Sequence, residues 1–190
     1  MKNKIIAVIG AGGKTTLIHR LAEEYRRKGA SVLVSTTTHM LVEPDTDLSC
    51  DSFAVMEKIK KTGYCMAGSV CPENSAKMQS LPEQMLHDLM KQVDYALIEA
   101  DGAKHYALKY PSPQEPVIPE GTTDVILVLG SWDLGKPCKD VVFRFEHMTS
   151  ALGISGDMKA DKQMLQWIWQ AYEEKLKNMD YQGHFHVLLS

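Results

Sequence analysis

Short apolar strands alternating with amphipathic helices point to an α/β fold in three layers, a mostly parallel sheet with helices on both faces. Two further observations support this. Three of the expected strands are near-continuous apolar runs, as in a sheet covered on both sides, and one run breaks into a glycine loop that opens a helix. The chain has 190 residues, enough for one such domain, and a single nucleotide-binding domain over 1–190 is expected.

Ile5–Ile9 is the first strand. It gives way to Gly10-Ala11-Gly12-Gly13-Lys14-Thr15-Thr16, and a helix is expected over Lys14–Lys28, with Leu17, Ile18, Leu21, Ala22 and Tyr25 on one face and Gly29 as its stop. A strand, a glycine loop, Lys-Thr and a helix in that order form a phosphate-binding loop, so the fold is expected to be P-loop NTPase-like. Glycines let backbone N–H groups approach anionic oxygens, and the helix N-terminus adds free N–H groups and partial positive charge. Lys14 is expected on the β- and γ-phosphates, Thr15 on Mg²⁺ and Thr16 on a phosphate oxygen. The loop is shorter than the full Walker A pattern, whose first glycine would fall on Val8. It is similar to the loop of the Mur ligases and of several Lys-Thr-Thr ATPases.

Ser31–Ser35 is the second strand, running into Ser35-Thr36-Thr37-Thr38-His39. Thr37 and Thr38 are candidate substrate contacts. His39 is a candidate proton carrier or ligand, with a strand cap as the alternative. A helix near Val55–Lys61, a strand at Tyr64–Ala67 and a helix over Pro82–Gln92 follow. The strand Tyr95–Glu99 then ends in Glu99-Ala100-Asp101, and such a strand carries the metal-binding acid of a phosphate-loop protein. Glu99 and Asp101 are both candidates as catalytic and metal residues. Their spacing of two allows them to point the same way, and the sequence does not choose between them.

Asp101–Thr123 lacks a regular pattern and holds four prolines between Tyr110 and Pro119, which suggests an ordered loop at the site. Lys104, His105 and Lys109 in it are candidates to face an anionic substrate. After the strand Val125–Leu129, Arg144 is a candidate to stabilise phosphoryl charge, with an ion pair to Glu146 as the alternative. A long helix near Lys159–Asn178 and a strand at His186–Leu189 complete the series.

The formal net charge of −3 gives no reason to expect a nucleic-acid partner, and no segment is long enough to span a membrane. Cys50, Cys65, Cys71 and Cys138 lack a zinc spacing and are expected as free thiols of a cytoplasmic protein.

Together, Gly10–Thr16, Ser35–His39, Glu99-Ala-Asp-Gly-Ala-Lys104 and Glu115-Pro-Val-Ile-Pro119 resemble the YqeC family, from the N-terminus to about Glu146, roughly three quarters of the chain. That resemblance implies an accessory protein for selenium-dependent molybdenum hydroxylases, with a hydroxylase or a cofactor-transfer protein as partner. Two departures stand out. The family's Arg-Pro-Glu is here Arg144-Phe-Glu146. The chain also ends at His184-Phe-His-Val-Leu-Leu-Ser190, where longer relatives are expected to run on towards an Asn-Lys-x-Asp base-reading segment, so the C-terminal end is expected to be shortened. ATP is therefore the expected nucleotide, and slow Mg²⁺-dependent hydrolysis the expected activity. Two alternatives stand beside it: a non-hydrolysing nucleotide- or pyrophosphate-binding module that switches a partner, and an ATP-dependent ligase or kinase for a small acid.

Overall fold

The computed structural model describes residues 3–190. Its elements run β1 (Lys4–Gly10), α1 (Lys14–Arg27), β2 (Val32–Thr36), β3 (His39–Leu41), α2 (Ser52–Thr62), β4 (Tyr64–Met66), β5 (Ser69–Val70), β6 (Lys77–Gln79), α3 (Glu83–Lys91) and β7 (Tyr95–Glu99). They continue with β8 (Leu108–Lys109), β9 (Asp124–Leu129), α4 (Cys138–Val141), β10 (Val142–Phe143), α5 (Phe145–Leu152), α6 (Lys162–Asn178) and β11 (His184–Leu189).

Six strands form one sheet in the order β11-β9-β1-β7-β2-β4, and every pairing in it is parallel. Parallel strands need crossover connections, and α1, α2, α3 and α6 lie in those connections and cover the sheet. Alternate residues of the strands feed opposite faces. Ile6, Val8, Val34 and Leu97 pack with Ile18 and Ala22 of α1. On the other face, Ile5, Leu33 and Ile98 meet Val55 and Ile59 of α2 and Leu86 and Leu89 of α3. Ala7, Ile9 and Leu127 meet Met164, Ile168 and Tyr172 of α6. Burial on both faces explains the unbroken apolar runs.

The expected strands and long helices are present, with ends moved by a few residues. The helix expected near Val55–Lys61 begins earlier, at Ser52, because the Asp51 carboxylate accepts from the N–H groups of Phe53 and Ala54 and caps it. Several short elements were not anticipated. β3, β6 and β5 form a small antiparallel sheet whose Met40 and Met78 are buried on the α1 side of the core. β8 and β10 pair Leu108 with Val142, so the stretch expected to be irregular contains a strand. Among the described residues no helix is long and apolar enough to cross a membrane.

Candidate functional site

β1 lies between β7 and β9, and the chain leaves the ends of these strands in different directions. This opens a crevice at their C-terminal edge, where parallel α/β sheets place ligands. A cleft of about 730 Å³ fills that edge. Its walls come from the glycine loop, Thr38 and β3, the β5–β6 connection, the segment after β7, and the residues around β10.

The loop is shaped by close backbone approach. Gly10 and Gly12 have φ of 85° and 79°. A Cβ on Gly10 would run into the Val128 carbonyl oxygen, and one on Gly12 would lie 2.5 Å from that of Ala107. Neither position tolerates a larger residue without moving the backbone. Ala11 is buried, and its N–H donates to the Val128 carbonyl at 3.0 Å. Gly12 to Thr16 line the cleft.

Register brings the acid to the loop. β1 pairs Val8 with Glu99, and β2 pairs Thr36 with the same residue. The Thr15 hydroxyl donates to Glu99 Oε2 at 3.2 Å, and Lys14 Nζ stands 3.9 Å from Glu99 Oε1. Lys14 also donates to the Gly10 carbonyl at 2.9 Å, which folds its side chain back over the loop. Lys14 and Glu99 are each 6% exposed. Burial pushes the Lys14 ammonium down and the Glu99 carboxyl up, and their mutual attraction opposes both shifts.

Asp101 is turned away from this pair. It is fully buried and does not line the cleft. One oxygen accepts from the Gly10 N–H at 3.1 Å and from the Tyr172 hydroxyl, and the other accepts from Lys109 Nζ. Burial pushes its carboxyl up, while the Lys109 charge and hydrogen bond pull it down, and the net direction is up. β7 ends at Glu99, so strand alternation no longer aligns the two acids.

Lys109, expected to face an anionic substrate, is instead fully buried. It bridges Asp101 and Glu115, with Glu115 Oε2 at 2.8 Å, and also donates to the Gly102 carbonyl at 2.6 Å. Arg144 pairs with Glu115 Oε2 at 2.6 Å rather than with Glu146. Arg144 is the N-cap residue of α5 with φ of 61°, which turns the chain between it and Glu146. Glu115 is held below the usual carboxylate range: burial raises it, but Lys109, the Gly102 N–H and Arg144 together outweigh burial.

The hydroxyl run splits. Thr36 donates to the Glu99 carbonyl at 2.8 Å, which ties β2 to the end of β7. The Thr37 hydroxyl donates to the Val117 carbonyl at 2.7 Å, and this residue does not line the cleft. Thr38 and exposed His39 do line it, as do Lys104 and Arg144. Glu115, Tyr172 and Phe143 were missed from sequence. Tyr172 meets Asp101 from 71 residues away and Arg144 meets Glu115 from 29, which no local pattern marks, while Glu115 was in view only as the start of the Glu115–Pro119 motif, with no role given to it.

Fold and cleft together define a layered α/β protein with a Lys-Thr-Glu cluster at the sheet's C-terminal edge. The chain belongs to the YqeC family, whose model matches residues 6–146. It is 33% identical over 161 residues to a relative from Escherichia coli (strain K12) described as an uncharacterized protein YqeC, covering 80% of this chain. The chain spans 62% of that relative's length. No solved structure matches it.

Proposed function

We propose that this chain binds a nucleoside triphosphate, with ATP as the expected one, together with Mg²⁺, and hydrolyses it slowly. The observation that carries this reading is the convergence of Lys14 and Thr15 on Glu99 at the mouth of a glycine loop. Gly10–Thr16 would serve as the phosphate loop, its N–H groups and the start of α1 facing the phosphate oxygens. Lys14 would leave the Gly10 carbonyl for the β- and γ-phosphates.

The donor set suits Mg²⁺. Among the described residues no group of three or more His, Cys, Asp or Glu side chains could hold a metal alone. One hydroxyl and one carboxylate, completed by phosphate oxygens and water, is the arrangement this hard ion favours. Thr15 and Glu99 would hold it, and when bound it would neutralise charge building on the phosphates. Asp101 would instead position the loop through Gly10. His39 would orient the attacking water from the cleft wall.

The biological setting rests on family membership: an accessory role in the maturation of a selenium-dependent molybdenum hydroxylase, in the cytoplasm. The hydroxylase or a cofactor-transfer protein would be the partner that completes the site and speeds turnover. A second reading, an ATP-dependent ligase or kinase for a small acid, is favoured by the cations at the far end of the cleft.

The test is Mg²⁺-dependent binding of ATP and GTP, with phosphate release, on the wild type and Lys14→Ala. Loss of charged hydrogen bonds to phosphate is expected to weaken binding roughly 10- to 100-fold in the variant. Wild-type protein that binds neither nucleotide with Mg²⁺ would overturn the reading.

A further inference from the structure

Beyond Glu99 the cleft is walled by residues that a phosphate loop does not use. Their centre is the Phe143 ring, with Tyr106 tilted against it at 5.6 Å between ring centres. Lys104 Nζ, Lys109 Nζ and Arg144 Cζ lie 5.4, 5.6 and 5.4 Å from the Phe143 centroid. A ring face attracts cations, so one side chain gathers three.

The charges there do not balance. Lys109 bridges Asp101 and Glu115, and Arg144 pairs with Glu115. Three cations therefore meet two carboxylates. Lys104 is the cation left over: it is exposed and, among the described residues, forms no ion pair or hydrogen bond. His105 stands next to it on the same wall. The backbone is strained at the same place. Lys104, His105 and Arg144 have φ of 45°, 66° and 61°, a region that non-glycine residues rarely enter. Such outliers persist where the surroundings hold them, and they gather at ligand sites.

We propose that this end of the cleft is a second ligand subsite, which takes the oxyanion of a small acceptor, a carboxylate or a phosphate, beside the nucleotide. The inference rests on the nucleotide reading for its neighbour. Lys104 and His105 leave the end of the strand that carries Glu99, so the subsite adjoins the side where a terminal phosphate would lie. Lys104 supplies the unmatched charge, Arg144 the planar donors beside it, and Phe143 fixes both.

The experiment saturates the protein with Mg²⁺ and a non-hydrolysable ATP analogue, which fills the phosphate loop. Orthophosphate and acetate are then titrated separately by calorimetry. One of them is expected to bind the loaded wild type, and which one binds identifies phosphate or carboxylate as the recognised group. Lys104→Ala is expected to weaken that binding about tenfold, the value of one charged hydrogen bond, and to leave analogue affinity within about twofold. Lys104 is exposed, so the variant should fold, and circular dichroism checks that it does. Analogue binding with neither anion following, or equal anion binding in Lys104→Ala, would overturn the subsite and leave the nucleotide reading intact. If the analogue itself fails to bind, the same titrations use nucleotide-free Lys14→Ala. Anion binding that persists there and falls on adding Lys104→Ala would keep the subsite while the nucleotide reading fails. Its absence would remove both.

Discussion

Glu99 and Asp101 are the same kind of group two residues apart, and their surroundings give them different work. Glu99 opens onto the cleft and touches Thr15, while Asp101 is sealed beneath the loop among Lys109, Tyr172 and the Gly10 N–H. Removing the Asp101 carboxylate leaves buried Lys109 with Glu115 as its remaining carboxylate and takes the acceptor from the Gly10 N–H and the Tyr172 hydroxyl. Asp101→Ala is therefore expected to lower the urea-unfolding free energy by about 3–5 kcal/mol. Tyr172→Phe removes one hydrogen bond to the same carboxylate and should cost about 1.5–3 kcal/mol. Glu99→Gln keeps an acceptor for Thr15 but takes the charge from beside Lys14, 3.9 Å away, so its stability cost should be smaller than that of Asp101→Ala, and the proposed Mg²⁺-dependent nucleotide binding should fall. Equal destabilisation by Asp101→Ala and Glu99→Gln would show that this division of labour is wrong. Period-two spacing made both acids legible in sequence. It could not separate them, because the strand stops at Glu99 and the partners of Asp101 come from 71 residues away at Tyr172 and from the segment after β7.

Elements with a strong period of their own were legible, and those held only by contacts were not. α6 shows Met164, Leu165, Ile168, Tyr172 and Leu176 buried at helical spacing, and it was expected from that pattern. β8 and β10 are two residues each, and nothing local marks them. They exist because Leu108 and Val142 meet in the core and Lys109 needs Asp101 and Glu115. The small sheet of β3, β6 and β5 is similar, anchored by Met40 and Met78. α2 lies between these cases. Its apolar face was readable, but its start depends on the Asp51 carboxylate, which accepts from two N–H groups of the first turn. Gly63 ends the helix at φ of 75°. Asp51→Ala is expected to lower stability by about 1 kcal/mol, read as an earlier melting midpoint, while Asp51→Asn should recover most of it. An unchanged midpoint in Asp51→Ala would mean that packing of Val55 and Ile59 alone sets the start of α2.

Across the whole molecule, what positions the site is the placement of β1 between β7 and β9. That order arises from crossovers between distant segments. Hydrophobic pattern can announce parallel strands, but it carries no information on which strands are neighbours. One polar cluster marks the result at the opposite edge of the sheet. Lys4 of β1 donates to Asp124 of β9 at 2.9 Å, Thr123 donates to the same carboxylate at 2.7 Å, and His186 of β11 stands 3.2 Å from its other oxygen. Burial raises the Asp124 carboxyl, but the Lys4, Thr123 and His186 hydrogen bonds outweigh it and hold it at about 2 against an ordinary 3.8. A depressed carboxyl contributes stability that is fully present above the unfolded value and is lost as pH falls through the folded one. The three-strand tie should therefore hold at neutral pH and weaken between about pH 4 and about pH 2. Asp124→Asn removes the ionisation while keeping the shape. Its stability at neutral pH should be lower than that of the wild type, and the two curves should converge as acid protonates the wild-type carboxyl. Urea midpoints taken across that range test this, and a gap that stays constant with pH would mean that packing, rather than the charge of Asp124, joins β1, β9 and β11.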